Sequence, residues 1–356
     1  MTKKIKIGNI FIGGGESIKI QSMTTFKPSD TENTINQIKE LESAGCDLVR
    51  FSVADKQDAK AIKLIKKETK IPLIADIHFD YRLAINSIEN GIDKIRINPG
   101  NIGGEENIRK IADVLKQTDI PVRVGANTGS IEKEFYEKYG RSEEALVESA
   151  LKNVHALEKY GVNNIVVSVK ASSVPLSVKA YKMISEKCGY PLHLGITEAG
   201  TYDMGVVKSS VGIGSLLLSG IGDTIRVSLT DNPVKEIIAA KRILRAVELD
   251  KNYIEIISCP TCGRCQWNSM ELAKKVEIFT EKYKIPLKIA VMGCVVNGPG
   301  EAKECDLGIA GGKTACAIFK KGNVYKNVNL QDAEQEFLKE IEKLIDESDN
   351  KQDKRK

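Results

Sequence analysis

Through roughly the first 250 residues the chain alternates two textures. Short runs of β-branched and other apolar residues are separated by longer stretches in which apolar residues recur every three or four positions, the periods of buried strand and amphipathic helix. The runs predict strands at Lys19–Met23, Leu48–Val53, Leu73–His78, Lys94–Asn98, Val122–Gly125, Ile165–Lys170, Leu192–Thr197 and Thr224–Ser228. Between them, Asp30 to Ala44 places Ile35, Ile38 and Leu41 on one helical face and stops at Gly45. Asp55 to Lys67 repeats this with Ala61, Ile62, Leu64 and Ile65, and Asp80 caps a short helix through Leu83, Ala84 and Ile88 that ends at Gly91. Similar patterns run near Glu105–Lys116, Ser142–Tyr160, Leu176–Cys188, Met204–Leu218 and Val234–Val247. Eight strands, each followed by a helix, specify an α/β fold, a (β/α)8 TIM barrel. A doubly wound sheet fits less well. It calls for a glycine-rich turn between the first strand and helix, whereas the glycines of Ile12–Ser17 precede a strand. They are expected to form a turn in an N-terminal hairpin.

After Leu249 the pattern changes. A strand at Asn252–Ser258 leads into a cysteine turn, a helix near Asn268–Tyr283 and a strand at Leu287–Met292. A second cysteine turn, strands near Asp306–Ala310 and Ala315–Phe319, and a charged helix near Leu330–Asp346 follow. The expected organisation is a barrel over 1–249, a small α+β domain over 250–346, and a charged, solvated tail over 347–356.

Composition narrows the class. Hydrophobic residues are 42% of the chain, enough for packed cores. No run approaches the ~18 apolar residues of a membrane span, and the basic N-terminus has no apolar signal-peptide core. The expectation is a cytoplasmic protein without membrane association. Net charge is +5, from 53 basic and 48 acidic residues, with much of the excess in the tail. That is no nucleic-acid footprint, so an anionic partner should be small and held by cations in a pocket.

Barrel enzymes place their chemistry at the C-terminal strand ends. There the chain carries Arg50, Asp76, His78, Arg96, Asn98, Arg123, Asn127, Lys170, His193, Glu198, Arg226 and Ser228, with Lys208 following the seventh strand. Arginine in a parallel strand is costly if buried without a partner, and a single one is as readily half of a structural ion pair. Arg50, Arg96, Arg123 and Arg226, with Lys170 and Lys208 on one rim, exceed what Asp76 and Glu198 can neutralise. A multiply charged anion such as a diphosphate fits that surplus. His78 and His193 stand where they can touch substrate or move a proton, although a packing role is the plain alternative. His155 lies mid-helix and reads as a surface or core residue. Glu198 is the acid candidate, on the expectation that burial tunes its carboxyl; otherwise it pairs with a rim arginine.

Two of the eight cysteines, Cys46 and Cys188, are isolated. The other six, Cys259, Cys262, Cys265, Cys294, Cys305 and Cys316, crowd into the second domain, a pattern that favours metal over disulfides in a reducing compartment. The C-x2-C at Cys259 and Cys262 brings two sulfurs to one ion, and Cys294 lies in a Gly-Pro-rich turn with amides suited to cluster sulfurs. Zinc and iron–sulfur both fit this spacing, with Cys265, Cys305 or Cys316 as possible fourth ligands. A non-redox pterin-binding or aldolase-like barrel with structural zinc, and a nucleic-acid-binding zinc ribbon, are the competing readings.

The strings Ser258-Cys259-Pro260-Thr261-Cys262-Gly263-Arg264 and Gly293-Cys294-Val295-Val296-Asn297-Gly298-Pro299-Gly300-Glu301 resemble the cluster motifs of the 4-hydroxy-3-methylbut-2-enyl diphosphate synthases. Gln21-Ser22-Met23-Thr24, Arg96-Ile97-Asn98-Pro99-Gly100-Asn101 and Thr197-Glu198-Ala199-Gly200 match the same family, so the resemblance covers nearly the whole chain. It implies a [4Fe–4S] cluster held by Cys259, Cys262, Cys294 and Glu301, and the two-electron reductive ring opening of a methylerythritol cyclic diphosphate. By the same resemblance Arg50, Arg96, Arg123, Lys170 and Arg226 hold the diphosphate, and Asp76, Asn98, Asn127 and His193 shape the cavity. Glu198 helps water leave, and Asn297 sits near cluster and substrate. The chain is similar to the short, two-domain form, which implies a homodimer and a flavodoxin or ferredoxin electron donor. Cys265 departs from the family string and keeps an all-cysteine ligand set open.

Overall fold

A computed structural model describes the chain at residues 1–294, 300 and 303–353. It divides into two compact units, Met1–Leu249 and Asp250–Lys356.

The first unit opens with an antiparallel hairpin, β1 (Ile5–Ile7) and β2 (Ile10–Ile12). Eight parallel strands follow: β3 (Lys19–Met23), β4 (Leu48–Ser52), β5 (Leu73–Asp76), β6 (Lys94–Arg96), β7 (Val122–Asn127), β8 (Ile165–Lys170), β9 (His193–Leu194) and β10 (Thr224–Ile225). Their order is β8-β7-β6-β5-β4-β3-β10-β9. A parallel bridge from Val167 to Leu192, with the Val167 amide donating to Pro191 O at 2.9 Å, joins the ends, so the sheet closes into a barrel. The helices are α1 (Thr31–Ser43), α2 (Lys56–Glu68), α3 (Tyr81–Glu89), α4 (Glu105–Thr118), α5 (Lys133–Tyr139), α6 (Glu143–Glu158), α7 (Val174–Lys187), α8 (Tyr202–Leu218) and α9 (Pro233–Ala246). Asp55, Asp80, Ser142, Ser173 and Asn232 cap α2, α3, α6, α7 and α9 by accepting first-turn amides.

Strand alternation sorts the side chains. Val49, Phe51, Ala75, Ile95, Val122, Val124, Val167 and Val169 join the helices' apolar faces in one core. The opposite parity lines the barrel. Its lower layer is apolar, where Leu48, Ile74 and Val166 pack on Ile5, Ile7 and Ile12 of the hairpin. The hairpin thus floors the barrel, and the polar residues begin one layer higher.

The second unit is a five-stranded sheet, β11 (Ile254–Ser258), β12 (Leu287–Met292), β13 (Leu307–Gly311), β14 (Ala315–Lys320) and β15 (Asn323–Asn329), in that order. The first three strands are parallel and the last two pairings antiparallel. α10 (Ser269–Thr280) and α11 (Ala333–Asp353) bury Leu272, Val276, Phe337 and Ile341 against Ile289, Ile309 and Ile318.

Several expectations shift. The hairpin turns at Gly8-Asn9, and the glycines after Ile12 follow it, linking it to β3. β5 and β6 end at Asp76 and Arg96, so His78 and Asn98 stand on loops beyond their strands. α5 buries no residue and β15 is exposed at nearly every position, so neither leaves an apolar period to read. The tail expected over 347–356 begins as helix, since α11 runs to Asp353. Glu, Lys and Gln are good helix formers, so a charged stretch is compatible with helix.

Candidate functional site

Inside the upper barrel, Asp76 is the hub. Its carboxylate lies 3.0 Å from Arg96 Nη1 and 3.6 Å from Arg50 Nε. Burial alone would push this carboxyl up. Arg50, Arg96 and Arg123 overcome that and hold it at about 2. Arg50 is lowered to about 10 by burial, which Asp76 opposes and Arg226 and Arg96 reinforce. Its guanidinium also rests on the Met23 sulfur, with Nη2 at 3.1 Å. Arg123 pairs across β6–β7 with Arg96, is fully enclosed, and has a buried Nη1 without a partner. Burial, then Arg50 and Arg96, lower it well below the usual range. Lys170, opposite Asn127 in the β7–β8 register, is lowered by burial and by Arg123, Arg50, Arg226 and Arg96. These side chains feel one another across β4 to β8 and the loop after β10, so they form one cationic field.

Gly195 stands beside this group because a Cβ there would meet Lys170 Nζ and Arg226 O, each at 2.7 Å. At Gly125, φ is +152° and a Cβ would fall 1.9 Å from Ser168 O. Glycine is what lets β7 and β8 approach at that point.

The remaining rim residues separate. Asn98 is buried and accepts the Gly100 amide at 3.2 Å, pinning the 3-10 turn Pro99–Asn101. His78 is exposed, with Nε2 3.2 Å from Arg96 Nη1. His193 is buried, its Nδ1 2.8 Å from Thr224 Oγ1 and its Nε2 unpartnered. Burial first, then Lys170, Arg123, Lys94 and Arg50, lower His193 well below the ordinary range, so its ring is neutral at pH 7. Asn127 ends β7, whereas β10 stops at Ile225, short of the expected Ser228, so Arg226 and Ser228 stand on the loop beyond it; Asn127 and Ser228 are half-buried. Lys208 lies half-buried in the second turn of α8. Glu198 is exposed, so the burial expected to tune it is absent from this unit, and it makes no ion pair among the described residues. It holds φ at +53°, a left-handed conformation that a non-glycine residue rarely adopts and that often marks functional loops.

In the second unit, the parallel pairing of Ser258 with Val291 puts Cys259 beside Gly293, whose amide donates to Cys259 Sγ at 3.1 Å. Cys294 follows directly. Cys262 is exposed, and its thiol is lowered by the Arg264 backbone amide and then by the Arg264 guanidinium, whose field also reaches Cys294. Cys265 Sγ is engaged elsewhere, 3.2 Å from Trp267 O and 3.3 Å from Ser269 Oγ. Cys305 and Cys316 are buried and burial raises both thiols, the opposite of what a ligand thiolate needs. Asn297 and Glu301 lie outside the described residues, and among the described residues no group of three or more His, Cys, Asp or Glu could by itself hold a metal ion. The donors that are present, thiols at the carboxyl ends of two adjacent parallel strands with one amide-bonded sulfur and one lowered thiol, suit a thiolate-ligated group.

Residues 2–241 match the family model of the GcpE TIM-barrel domain, and residues 255–343 match that of the GcpE protein C-terminal domain. The chain belongs to the GcpE family.

A relative from Caldanaerobacter subterraneus subsp. tengcongensis, named 4-hydroxy-3-methylbut-2-en-1-yl diphosphate synthase (flavodoxin), is 59% identical over 348 residues, 98% of each chain. One of the same name from Ruminiclostridium cellulolyticum is 54% identical over 344 residues, 96% of this chain and 98% of its own. Among solved structures, the Yersinia pestis dihydropteroate synthase superposes with a TM-score of 0.50 at 13% identity, covering 70% of this chain and 99% of its own. The type I 3-dehydroquinate dehydratase of Clostridium difficile gives 0.50 at 16%, covering 70% and 98%. At that identity these two show the barrel fold alone.

Within this GcpE barrel, three polar residues escaped the reading from sequence. Glu236 of α9 is buried, lies 3.5 Å from Arg226 Nη2, and accepts from Ser22 Oγ at 3.0 Å and the Leu229 amide at 3.0 Å. It supplies the second counter-charge that had been assigned to Glu198. Its signal was present: a carboxylate within the buried stripe of Pro233, Ile237, Ala240 and Ile243. Lys94 and Gln21 are fully enclosed in the barrel strands with unpartnered side-chain atoms. Lys94 was read as an ordinary strand residue, and Gln21 only as part of a string that matches the family, without a role at the site.

Proposed function

We propose that this chain catalyses the reductive dehydration and ring opening of 2-C-methyl-D-erythritol 2,4-cyclodiphosphate to 4-hydroxy-3-methylbut-2-enyl diphosphate, in isoprenoid precursor synthesis. The observation that carries the reading is the barrel interior, where, among the described residues, Arg50, Arg96, Arg123, Arg226 and Lys170 face only Asp76 and Glu236 as buried carboxylates. Buried cations in excess need an anion, and paired guanidinium groups suit phosphate oxygens. The family and the printed names of its relatives supply the rest of the chemistry.

The cofactor is a [4Fe–4S] cluster on Cys259, Cys262, Cys294 and Glu301, which when bound supplies the electrons one at a time. The chain's own groups do the remaining work. Asp76 keeps Arg50 and Arg96 extended and charged, so the anion meets oriented donors. Arg123, Lys170 and Arg226 complete the cradle, and Asn98, Asn127 and Ser228 contribute neutral donors around it. The neutral His193 ring adds a hydrogen-bonding wall without adding charge. Glu198 delivers the proton with which the leaving hydroxyl departs as water, so two electrons and one proton enter as the ring C–O bond and the hydroxyl C–O bond break. His78 and Lys208 are further contacts. The protein works in the cytoplasm as a homodimer and takes electrons from a flavodoxin.

The test is anaerobic turnover. Protein purified without oxygen should contain about four irons and four sulfides per chain, and should convert the cyclic diphosphate with reduced flavodoxin to the linear diphosphate, read by mass spectrometry. Cluster-loaded protein that leaves the substrate unchanged would overturn the proposal.

A further inference from the structure

Lys94 opens β6 opposite Ile74 of β5. It lies two positions before Arg96, on the same inward face, and therefore one barrel layer, about 6–7 Å, beneath the arginine cluster. It is fully buried and its Nζ has no hydrogen-bond partner. Arg123 Nη1, His193 Nε2 and both amide atoms of Gln21 are likewise buried and unpartnered. Orphaned polar atoms are rare in folded interiors, and these come from four strands of one barrel.

We propose that Lys94 is a positioning residue for the anion site, which takes up one proton as a doubly charged ligand binds and thereby completes the charge beneath Arg123 and Arg50. The proposal rests on the diphosphate-class reading of the cluster above it.

The charges that face Lys94 explain the behaviour. Arg123 of β7 and Arg50 of β4 repel an ammonium there. His193 of β9 lies within the field of Lys94 and is neutral, Lys170 of β8 belongs to the same cationic field, and Asp76 of β5 is committed to Arg50 and Arg96. Nζ is buried without a hydrogen-bond partner, and burial first, then Arg123 and Arg50, lower Lys94 well below the usual lysine range, so the empty site disfavours the ammonium. A doubly charged anion on the arginines offsets most of that repulsion and so favours the ammonium relative to the empty site. Lysine is the group that answers, since its ordinary pKa of about 10.4 starts roughly four units above that of histidine.

The experiment titrates full-length protein, without reductant, with 2-C-methyl-D-erythritol 2,4-cyclodiphosphate by calorimetry in buffers of differing ionisation enthalpy. Each phosphorus of this ligand carries one strongly acidic oxygen, so any proton taken up near neutral pH belongs to the protein. The native chain should take up about one proton, and its affinity should fall as pH rises, by up to about tenfold per unit. Lys94→Met keeps the stem's volume and removes the amine. It should bind without proton uptake, with an affinity flat across the same range. Lys94→Arg, permanently charged, should bind without uptake and recover native affinity at low pH. Native binding without uptake, or unchanged uptake in Lys94→Met, would overturn this inference and leave the anion site standing. A native protein that does not bind the ligand would overturn both.

Discussion

Asp76→Asn is the most direct probe of the barrel's electrostatics. The residue is 3% exposed and its carboxyl is held at about 2, against ~3.9 for an unperturbed aspartate. At ~1.36 kcal/mol per pKa unit, about 2.5 kcal/mol of stability is tied to its charge. Breaking a buried pair by removing one partner typically costs about 3–5 kcal/mol, but Arg96 keeps 15% of its side chain exposed and can turn toward water. A loss of about 2–4 kcal/mol at pH 7 is therefore expected. Because the folded pKa is depressed, this contribution is present above the unfolded value and is lost as pH falls through about 2. The gap between native and variant should be full at pH 6–7 and about half as large at pH 3. Urea unfolding followed by far-UV circular dichroism, with matched m-values, measures it at each pH. Equal midpoints at pH 7, or a gap indifferent to acid, would refute the claim that Asp76 compensates the arginines.

Three further outcomes are expected. Glu198→Gln should lower kcat by about 10²–10⁴-fold while leaving calorimetric affinity for the cyclic diphosphate unchanged, as suits a proton donor rather than a binding group. Gly125→Ala forces a Cβ to 1.9 Å from Ser168 O; it should cost more than about 3 kcal/mol and show as a large fall in melting temperature and soluble yield. Cys262→Ser should strip iron and sulfide from anaerobically purified protein, whereas Cys265→Ser, whose thiol is already held by Trp267 O and Ser269, should retain both.

Much of this architecture was legible in the chain. Ile165–Lys170 and Leu287–Met292 form strands at the expected bounds because short runs dominated by β-branched and other apolar residues are nearly unambiguous when polar turns flank them. Arg50, Arg96 and Arg123 stood out because a guanidinium inside an apolar run demands a reason. Cys265 shows the limit of spacing. Its place in C-x2-C-x2-C invites a ligand role, but its sulfur faces Trp267 O and Ser269, because the turn after Cys262 carries it there.

By itself, then, the sequence determined the periods, the barrel they close into, the arginines on its strands and the clustered cysteines, since each is a local pattern or a composition. Only the tertiary structure decided which charges answer one another. Arg226 meets Glu236 because α9 packs behind β3, Arg123 meets Arg96 through strand register, and Lys94 is left alone beneath them. Pairing across strands and the depth of a side chain in a barrel depend on residues far apart in the chain, and no spacing along it encodes them.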